Sequence, residues 1–120
     1  MREPDGLFVY GTLKKGYYNY LRVESLVTRV TGGWHVSGTL YNLGPYPGLD
    51  LEGDQPVRGE LLESDRLAEL LRVTDEIEGN EYERVSVEVS ADDGSTRRVW
   101  TYRYLGETSG LQRLTAGEWH

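Results

Sequence analysis

The sequence predicts an α+β fold: a mixed, strongly bent sheet or a small barrel, with one long helix. Five or six short stretches show the alternation or the apolar runs of β-strands, and one stretch has the 3.6-residue period of a long helix. The strands follow one another mostly without helices between them, which disfavours a doubly wound parallel sheet. Gly38 and Gly59 lie inside predicted strands, as glycines do at the bends of a barrel.

Length and composition narrow the class of protein. We expect one domain over residues 1–120, with loose termini over 1–6 and 106–120, because both ends are polar. Thirteen basic and twenty acidic residues give a net charge of −7, which argues against a nucleic-acid partner. The chain has no Cys, so disulfides and thiolate chemistry are excluded. It shows no membrane-spanning run and no signal peptide, so we expect a cytoplasmic protein without a membrane partner.

The first predicted strand is Leu7–Tyr10, a continuous apolar run typical of a strand buried on both faces. A loop over Gly11–Gly16 follows, and a short helical turn is expected within Tyr17–Ser25. Two strands are then predicted over Leu26–Val30 and Trp34–Leu43, broken by two glycines between them.

The second half begins with Gly44–Gly48, which we expect to be irregular because it contains two prolines, and with a strand over Val57–Leu62. Ser64–Ile77 is the predicted helix, with Ser64 as its N-cap and Gly79 as the residue that ends it. Strands over 85–89 and 98–104 form a hairpin around an Asp-Asp-Gly turn.

The end of the helix contradicts a local rule. Asp75, Glu76 and Glu78 lie where the helix dipole is negative and where Lys or Arg would stabilise it. Such departures often mark functional sites. A carboxyl crowded by other carboxylates there would have a raised pKa, as a general base working near neutral pH requires. The alternative is a solvated acidic turn.

The loop after the first strand is the second unusual feature. Glycines at both ends of Gly11–Gly16 allow successive backbone N–H groups to point the same way and to hold an anion. Lys14 and Lys15, the only lysines of the chain, could attract a carboxylate substrate. The spacing fits neither common nucleotide-binding loop. The alternative is a plain turn with solvated lysines.

Four motifs resemble, in order, those of the γ-glutamylcyclotransferase-like family, which includes AIG2-like, YtfP-like and BtrG-like proteins. The similarity runs from Leu7 to Tyr104, and one departure is Thr74, where the family usually has Leu at a packing position. The motifs are F-V-Y-G-T-L-K-K-G from Phe8, Y-P-G-L from Tyr46, V-R-G-E-L from Val57 and T-D-E-I-E-G-N-E-Y-E-R from Thr74.

The resemblance implies a mixed barrel with flanking helices and an enzyme. The expected reaction is intramolecular: the α-amine of a γ-glutamyl amine or amino acid attacks the γ-carbonyl, giving 5-oxoproline and a free amine, without a metal or another cofactor. Glu78 is the expected catalytic acid and base. The expected substrate-binding residues are Tyr10, Gly11, Thr12, Leu13, Tyr82 and, from an aromatic strand face, Tyr102.

Several expectations concern the surroundings of this site. Tyr46 could cover the opening, Arg84 is expected to pair with a carboxylate near the helix end, and His35 is expected to be structural. The predicted partner is a small γ-glutamyl molecule, and the predicted state is a monomer or weak homodimer. Two alternatives stay open: a non-catalytic module that binds a small carboxylate or amine in the same cleft, and a protein-interaction domain.

Overall fold

A closed mixed β-barrel forms the body of the computed structural model, which describes residues 3–120. Five strands close in the order β3-β1-β5-β4-β2, because β2 also pairs with β3. β1 and β5 are parallel, and the other neighbours are antiparallel. The elements are β1 (Leu7–Val9), β2 (Arg29–Asn42), β3 (Pro47–Glu63), α1 (Leu67–Glu78), β4 (Tyr82–Ala91), β5 (Thr96–Tyr104), β6 (Gln112–Arg113) and 3₁₀ turns at Tyr20–Arg22, Glu24–Leu26 and Gly79–Glu81.

The predicted fold class is therefore confirmed, but two strands are longer than predicted. The expected break at the Gly32-Gly33 pair is a register shift inside one 14-residue strand, β2. Strand β3 begins at Pro47, ten residues before the predicted start, because the expected irregular stretch turns directly into a hairpin with β2. A second register shift after Gly38 bends the same hairpin. At Gly59, a Cβ would collide with the Val9 carbonyl oxygen, so glycine lets β1 and β3 approach.

Strand β1 divides the core into two parts. Phe8 points into the barrel, where it packs with apolar side chains from the other four strands of the barrel. Leu7 and Val9 point outward and pack beneath α1 and the 3₁₀ turns. The prediction that this strand is buried on both faces is thus confirmed, and the loop that follows it begins at the boundary between barrel and helix.

The helix begins at Leu67, three residues after the predicted N-cap, with Ser64 Oγ accepting a hydrogen bond from the Arg66 amide at 2.9 Å. It ends before Gly79, whose φ of 67° only glycine adopts readily. Within residues 3–120, no helix combines the length and hydropathy needed to cross a membrane.

The C-terminal segment 106–120, predicted to be loose, packs along the barrel. Strand β6 pairs with β2, the Leu114 amide donates to the Leu40 carbonyl at 2.8 Å, and Trp119 packs against the core. Apolar side chains in a polar stretch therefore anchor it. At the other end, residues 1 and 2 lie outside the described residues, and the Asp5 amide donates to the Arg98 carbonyl at 3.2 Å.

Candidate active site

The helix end and the loop after β1 meet at one narrow cleft. Every residue that the sequence analysis placed in the site lines it: Tyr10, Gly11, Thr12, Leu13, Glu78, Tyr82 and Tyr102. The other lining residues are Phe8, Val9, Tyr46 and Pro47. The chain thus brings the predicted acid and the predicted anion-holding loop to the same cleft.

The loop is held in place through its carbonyl groups. The Gly11 carbonyl accepts from the Lys14 amide at 3.0 Å, and the Thr12 carbonyl accepts from the Tyr20 amide at 3.2 Å. The amides of Gly11, Thr12 and Leu13 donate to no acceptor within residues 3–120, although all three residues are buried. Three successive donors beside a cleft are suited to an oxygen-bearing ligand.

Gly11 is required by a close approach. A Cβ at this position would lie 2.7 Å from Cδ of Pro47, closer than side-chain atoms pack. Pro47 is the first residue of β3 and forms the wall of the cleft next to the loop. The first and second motifs therefore pack against each other beside the cleft, with Gly11 next to Pro47.

The two lysines do not line this cleft, which removes the support for the alternative in which they attract a carboxylate substrate. Lys14 is buried, and its Nζ donates to the Trp119 carbonyl at 2.7 Å and lies 5.2 Å from the centre of the Tyr17 ring. Lys15 is exposed. Lys14 therefore connects the loop to the C-terminal segment. Burial lowers the pKa of Lys14, although the nearby carboxylates of Glu118 and Glu60 act in the opposite direction.

Burial raises the pKa of Glu78 to about 7. Its carboxyl group makes no hydrogen bond or ion pair within the described part of the chain. The predicted direction agrees, but the predicted cause, crowding by neighbouring carboxylates, is wrong. Asp75 is paired with Arg84 at 2.9 Å, and Glu76 lies on the solvent side beside Arg72 at 3.8 Å.

Asp75 lies one helical turn earlier and is bonded to its surroundings. Arg84 donates to both of its oxygens, at 2.9 and 3.3 Å, and the Tyr102 hydroxyl donates to Oδ1 at 2.6 Å. Partial burial raises the pKa of Asp75, but these hydrogen bonds outweigh it and hold the pKa below its usual value. The expected pairing of Arg84 with a carboxylate near the helix end is confirmed, and its guanidinium also stacks on Trp100 at 4.5 Å.

Three of the four tyrosines that line the cleft, Tyr10, Tyr82 and Tyr102, make hydrogen bonds to other parts of the protein through their hydroxyls. Tyr10 donates to the Tyr102 carbonyl at 2.6 Å and accepts from the Leu49 amide at 3.3 Å. Tyr82 donates to the Pro47 carbonyl at 2.7 Å. Burial, with a smaller contribution from Glu78, raises the pKa of both Tyr10 and Tyr82, so their hydroxyls stay protonated.

Thr74, where the family motif usually has Leu, provides a partner for the third tyrosine. Its side chain is fully buried, and Oγ1 lies 2.7 Å from the Tyr102 hydroxyl and 3.2 Å from the Leu71 carbonyl. The position is therefore more than a packing contact. It links the Tyr102 hydroxyl to the helix that carries Asp75 and Glu78.

A second pocket, the outer chamber, adjoins the cleft. The two share Thr12, Tyr46, Glu78 and Tyr82, and Asn19 Nδ2 donates to Thr12 Oγ1 at 2.8 Å. Tyr46 lies at this opening, as expected. The chamber is completed by residues that the sequence analysis did not assign: Tyr18, Asn19, Ile77 and Glu81. Tyr18 and Asn19 lie outside the recognised motifs, whereas Ile77 and Glu81 lie within one, so only these two could have been found from the sequence.

His35 lies away from this site, on β2 opposite Arg58 and Ser90 in the neighbouring strands. Its Nδ1 is buried and has no hydrogen-bond partner within the described residues. No group of three or more His, Asp or Glu side chains in residues 3–120 is arranged to hold a metal ion.

The chain is similar to known proteins in both sequence and structure. The sequence profile of a family described as gamma-glutamyl cyclotransferase, AIG2-like, matches residues 7–120. The chain belongs to this family. Its relatives include the gamma-L-glutamyl-butirosin B gamma-glutamyl cyclotransferase of Niallia circulans, 37% identical over 109 residues, and a Vibrio cholerae protein provisionally named a gamma-glutamylcyclotransferase, 35% identical over 118 residues. The alignments cover 82% and 94% of this chain, and 65% and 93% of the respective relatives.

Several solved structures share the fold. A Pyrococcus horikoshii protein superposes with a TM-score of 0.69 at 26% identity, over 95% of this chain and 88% of that one. The Escherichia coli protein ytfP gives 0.62 at 29% identity, over 95% of each chain. The AIG2-like protein of Mus musculus gives 0.70 at 23% identity, over 95% of this chain and 88% of its own, a likeness of fold alone.

Proposed function

We propose that this family member is a γ-glutamyl cyclotransferase that converts a small γ-glutamyl amine or γ-glutamyl amino acid into 5-oxoproline and a free amine. The carrying observation is the meeting of Glu78 with the Gly11–Leu13 amides across one cleft. An unpaired carboxyl group and a row of unpaired donors are the two kinds of group that the reaction needs, and here they face the same space.

The reaction moves two protons and breaks one C–N bond. The α-amine of the glutamyl group attacks its own γ-carbonyl carbon, so the ammonium form must first lose a proton. Glu78 takes that proton and delivers it to the nitrogen of the departing amine when the C–N bond breaks. It then takes the second proton, which the new ring nitrogen must lose to become the N–H of 5-oxoproline, and passes it to the freed amine or to water. A carboxyl whose pKa is about 7 exchanges protons in both directions near neutral pH.

The amides of Gly11, Thr12 and Leu13 would hold oxygens of the glutamyl group. Fixed donors at an oxygen that gains negative charge stabilise the transition state by about 3–4 kcal/mol each. Because the attack takes place within one molecule, the protein need only hold the conformer in which the amine approaches the γ-carbonyl carbon. Tyr10, Tyr82 and Tyr102 would bind through their rings and edges, since their hydroxyls already have partners in the protein.

The test is direct detection of product. The protein is incubated with γ-glutamyl-alanine, γ-glutamyl-ε-lysine and γ-glutamyl-ethylamide, and 5-oxoproline is quantified by mass spectrometry against heat-denatured protein, which corrects for spontaneous cyclisation. The N-acetyl derivatives are matched controls, because they lack the attacking amine and should give no product. We expect enzyme-dependent 5-oxoproline from at least one free-amine compound. Saturable binding without 5-oxoproline from any of them would instead identify a binding module.

A further inference from the structure

Lys14 ends the loop that carries the three cleft amides, and its backbone closes the turn. The Lys14 amide donates to the Gly11 carbonyl at 3.0 Å, and the Lys14 carbonyl accepts from the Tyr17 amide at 3.0 Å. Lys14 is buried, but it lines neither the cleft nor the outer chamber. Its side chain can therefore influence a substrate in the cleft only through the loop.

The Lys14 side chain reaches the C-terminal segment, 105 positions along the chain. Its Nζ donates to the Trp119 carbonyl at 2.7 Å and lies 5.2 Å from the centre of the Tyr17 ring. The rings of Tyr17 and Trp119 lie 5.3 Å apart, with their planes tilted by 40°. These three residues form one cluster, the Lys14 cluster, which connects the loop to the segment.

The C-terminal segment is itself bonded to the barrel. Gln55 Nε2 donates to the carbonyls of Leu114 and Thr115 at 2.8 and 2.9 Å. The Arg58 amide donates to the Gly117 carbonyl at 2.7 Å. Both donor residues belong to β3, so the segment has a defined position relative to the barrel. The Lys14 cluster therefore ties the loop to a fixed support.

A buried ammonium group is suited to fixing a position. Its burial costs hydration energy that an apolar side chain at the same place would not lose. Its bond to a carbonyl is charge-assisted and directional, and so defines a distance more sharply than an apolar contact does. The Gly11–Leu13 amides must be held within about 0.5 Å of their binding positions to serve a ligand. The Lys14 bond supplies that constraint from outside the cleft.

We infer, on the basis of the proposed function, that Lys14 is a positioning residue for the substrate-binding loop. Through its bond to Trp119 it keeps the Gly11–Leu13 amides where they bind the glutamyl group, and it thereby sets the KM of the substrate. Lys14 touches no substrate atom and takes no part in the proton transfers of Glu78.

Lys14→Met tests the inference in the kinetics. Methionine keeps most of the length of the lysine side chain but cannot donate to the Trp119 carbonyl. The loop should then occupy its binding position for only part of the time, and KM should rise about tenfold if that fraction falls to about one tenth. The kcat should stay unchanged, because the loop is in place in every complex that has formed.

Lys15→Met is the matched control. It removes the same charge from the next residue, which is exposed and lies outside the cleft. It should leave both KM and kcat unchanged. A residue that only stabilised the fold would lower the unfolding temperature and leave the KM of the folded molecules unchanged, so thermal unfolding accompanies the kinetics and should show both variants folded at the assay temperature.

Backbone NMR measures the loop without any substrate. In Lys14→Met, the ¹⁵N order parameters of the Gly11–Leu13 amides should fall from about 0.85, typical of rigid backbone, to about 0.6 or lower. Lys15→Met should not change them. The Trp100 amide, which donates to the Gly6 carbonyl at 2.9 Å, is the internal reference and should keep its order parameter in both variants.

Trp119→Ala disturbs the other side of the same connection. It should also raise KM, and the double variant with Lys14→Met should raise KM no further than the more severe single variant, because both break one link. Increases in KM that multiply in the double variant would show that the two residues act independently, which contradicts the inference.

The remaining outcomes separate this inference from the proposed function. An unchanged KM in Lys14→Met, or a raised KM with unchanged order parameters, would overturn the inference and leave the proposed function intact. Equal effects of Lys14→Met and Lys15→Met would also overturn it, because the lost charge and not the bond to Trp119 would then matter. If the wild type releases no 5-oxoproline from any compound, the proposed function fails, and the order parameters alone decide whether Lys14 holds the loop.

Discussion

Asp75 and Glu78 lie three residues apart at the end of one helix and experience opposite surroundings. On the Asp75 side, Arg84 and Tyr102 donate hydrogen bonds to a half-exposed carboxylate and hold its pKa below the usual value. On the Glu78 side, the carboxyl is partly buried beside the cleft and has no partner in the described chain, and burial raises its pKa to about 7. Pairing produces an ionised structural group, and burial without pairing produces a group ready to exchange protons.

The difference shows that spacing from the helix end does not assign roles to acidic residues. Residues three apart point about 300° around the helix from one another, so they face neighbouring but different elements. Asp75 meets β4 and β5, whereas Glu78 meets the loop after β1. The predictions below test this difference between Asp75 and Glu78.

The largest expected effect is on catalysis. Glu78→Gln should lower kcat by about 10²- to 10⁴-fold while the protein stays folded, because the Gln side chain keeps the shape of Glu but can neither accept nor deliver the proton. Glu76→Gln, on the exposed face of the same helix beside Arg72, should leave kcat unchanged. Steady-state release of 5-oxoproline measures both variants. Activity of Glu78→Gln within tenfold of the wild type would rule out acid–base work by this residue.

The next effect concerns stability against pH. The Glu78 pKa is about 7 in the folded protein and 4.5 in its ordinary environment, so the native state binds this proton more tightly. Proton binding to Glu78 therefore stabilises the folded protein by about 3 kcal/mol. This stabilisation is complete below pH 4.5 and is lost as the pH rises through 7. Asp75 acts in the opposite sense: its contribution is lost as pH falls through its lowered pKa.

Urea unfolding of the wild type and Glu78→Gln from pH 4.5 to 8.5 measures this effect. Relative to the wild type, the variant should gain about 3 kcal/mol over that range. A constant difference between the two proteins at every pH would mean that the Glu78 pKa is not raised in the folded state. Under the proposed function, kcat/KM should also fall as pH drops below about 7, because protonation removes the base.

A smaller effect should follow from adding a side chain to the loop that lines the cleft. Gly11→Ala places a methyl group 2.7 Å from Cδ of Pro47, so the loop or β3 must shift. The expected loss is about 1–3 kcal/mol of stability, together with a raised KM. Gly32→Ala is the matched control, since nothing lies within 4 Å of its Cβ position and its φ is not in the left-handed region. Equal kinetics for the two variants would argue that the loop position does not matter.

The smallest effect is expected on the Asp75 side. Asp75→Asn should cost about 0.5–1 kcal/mol in the free energy of unfolding, because the pair with Arg84 is partly solvated and Asn still accepts from Tyr102. The kcat should change little. Chemical denaturation and steady-state kinetics measure the two quantities, and a loss of kcat comparable to that of Glu78→Gln would erase the distinction between the two sides.

Most strands, the helix and the residues of the candidate site could be predicted from the sequence alone. A continuous apolar run predicted β1, the helical period and Gly79 predicted the end of α1, and the ordered motifs predicted the barrel. Local patterns carry this information because each depends on residues close together in the chain. The same patterns missed the continuity of β2 through Gly32 and Gly33, since a bulge between long paired strands looks like a break.

Which charged and polar groups lie next to each other could be learned only from the tertiary structure. It directed Lys14 to the carbonyl of Trp119 rather than to the cleft, packed the polar C-terminal segment against the barrel, and brought Tyr18 and Glu81 to one chamber. It also replaced crowding with burial as the reason for the raised Glu78 pKa. Desolvation and pairing are set by neighbours distant in sequence, and no spacing along the chain encodes them.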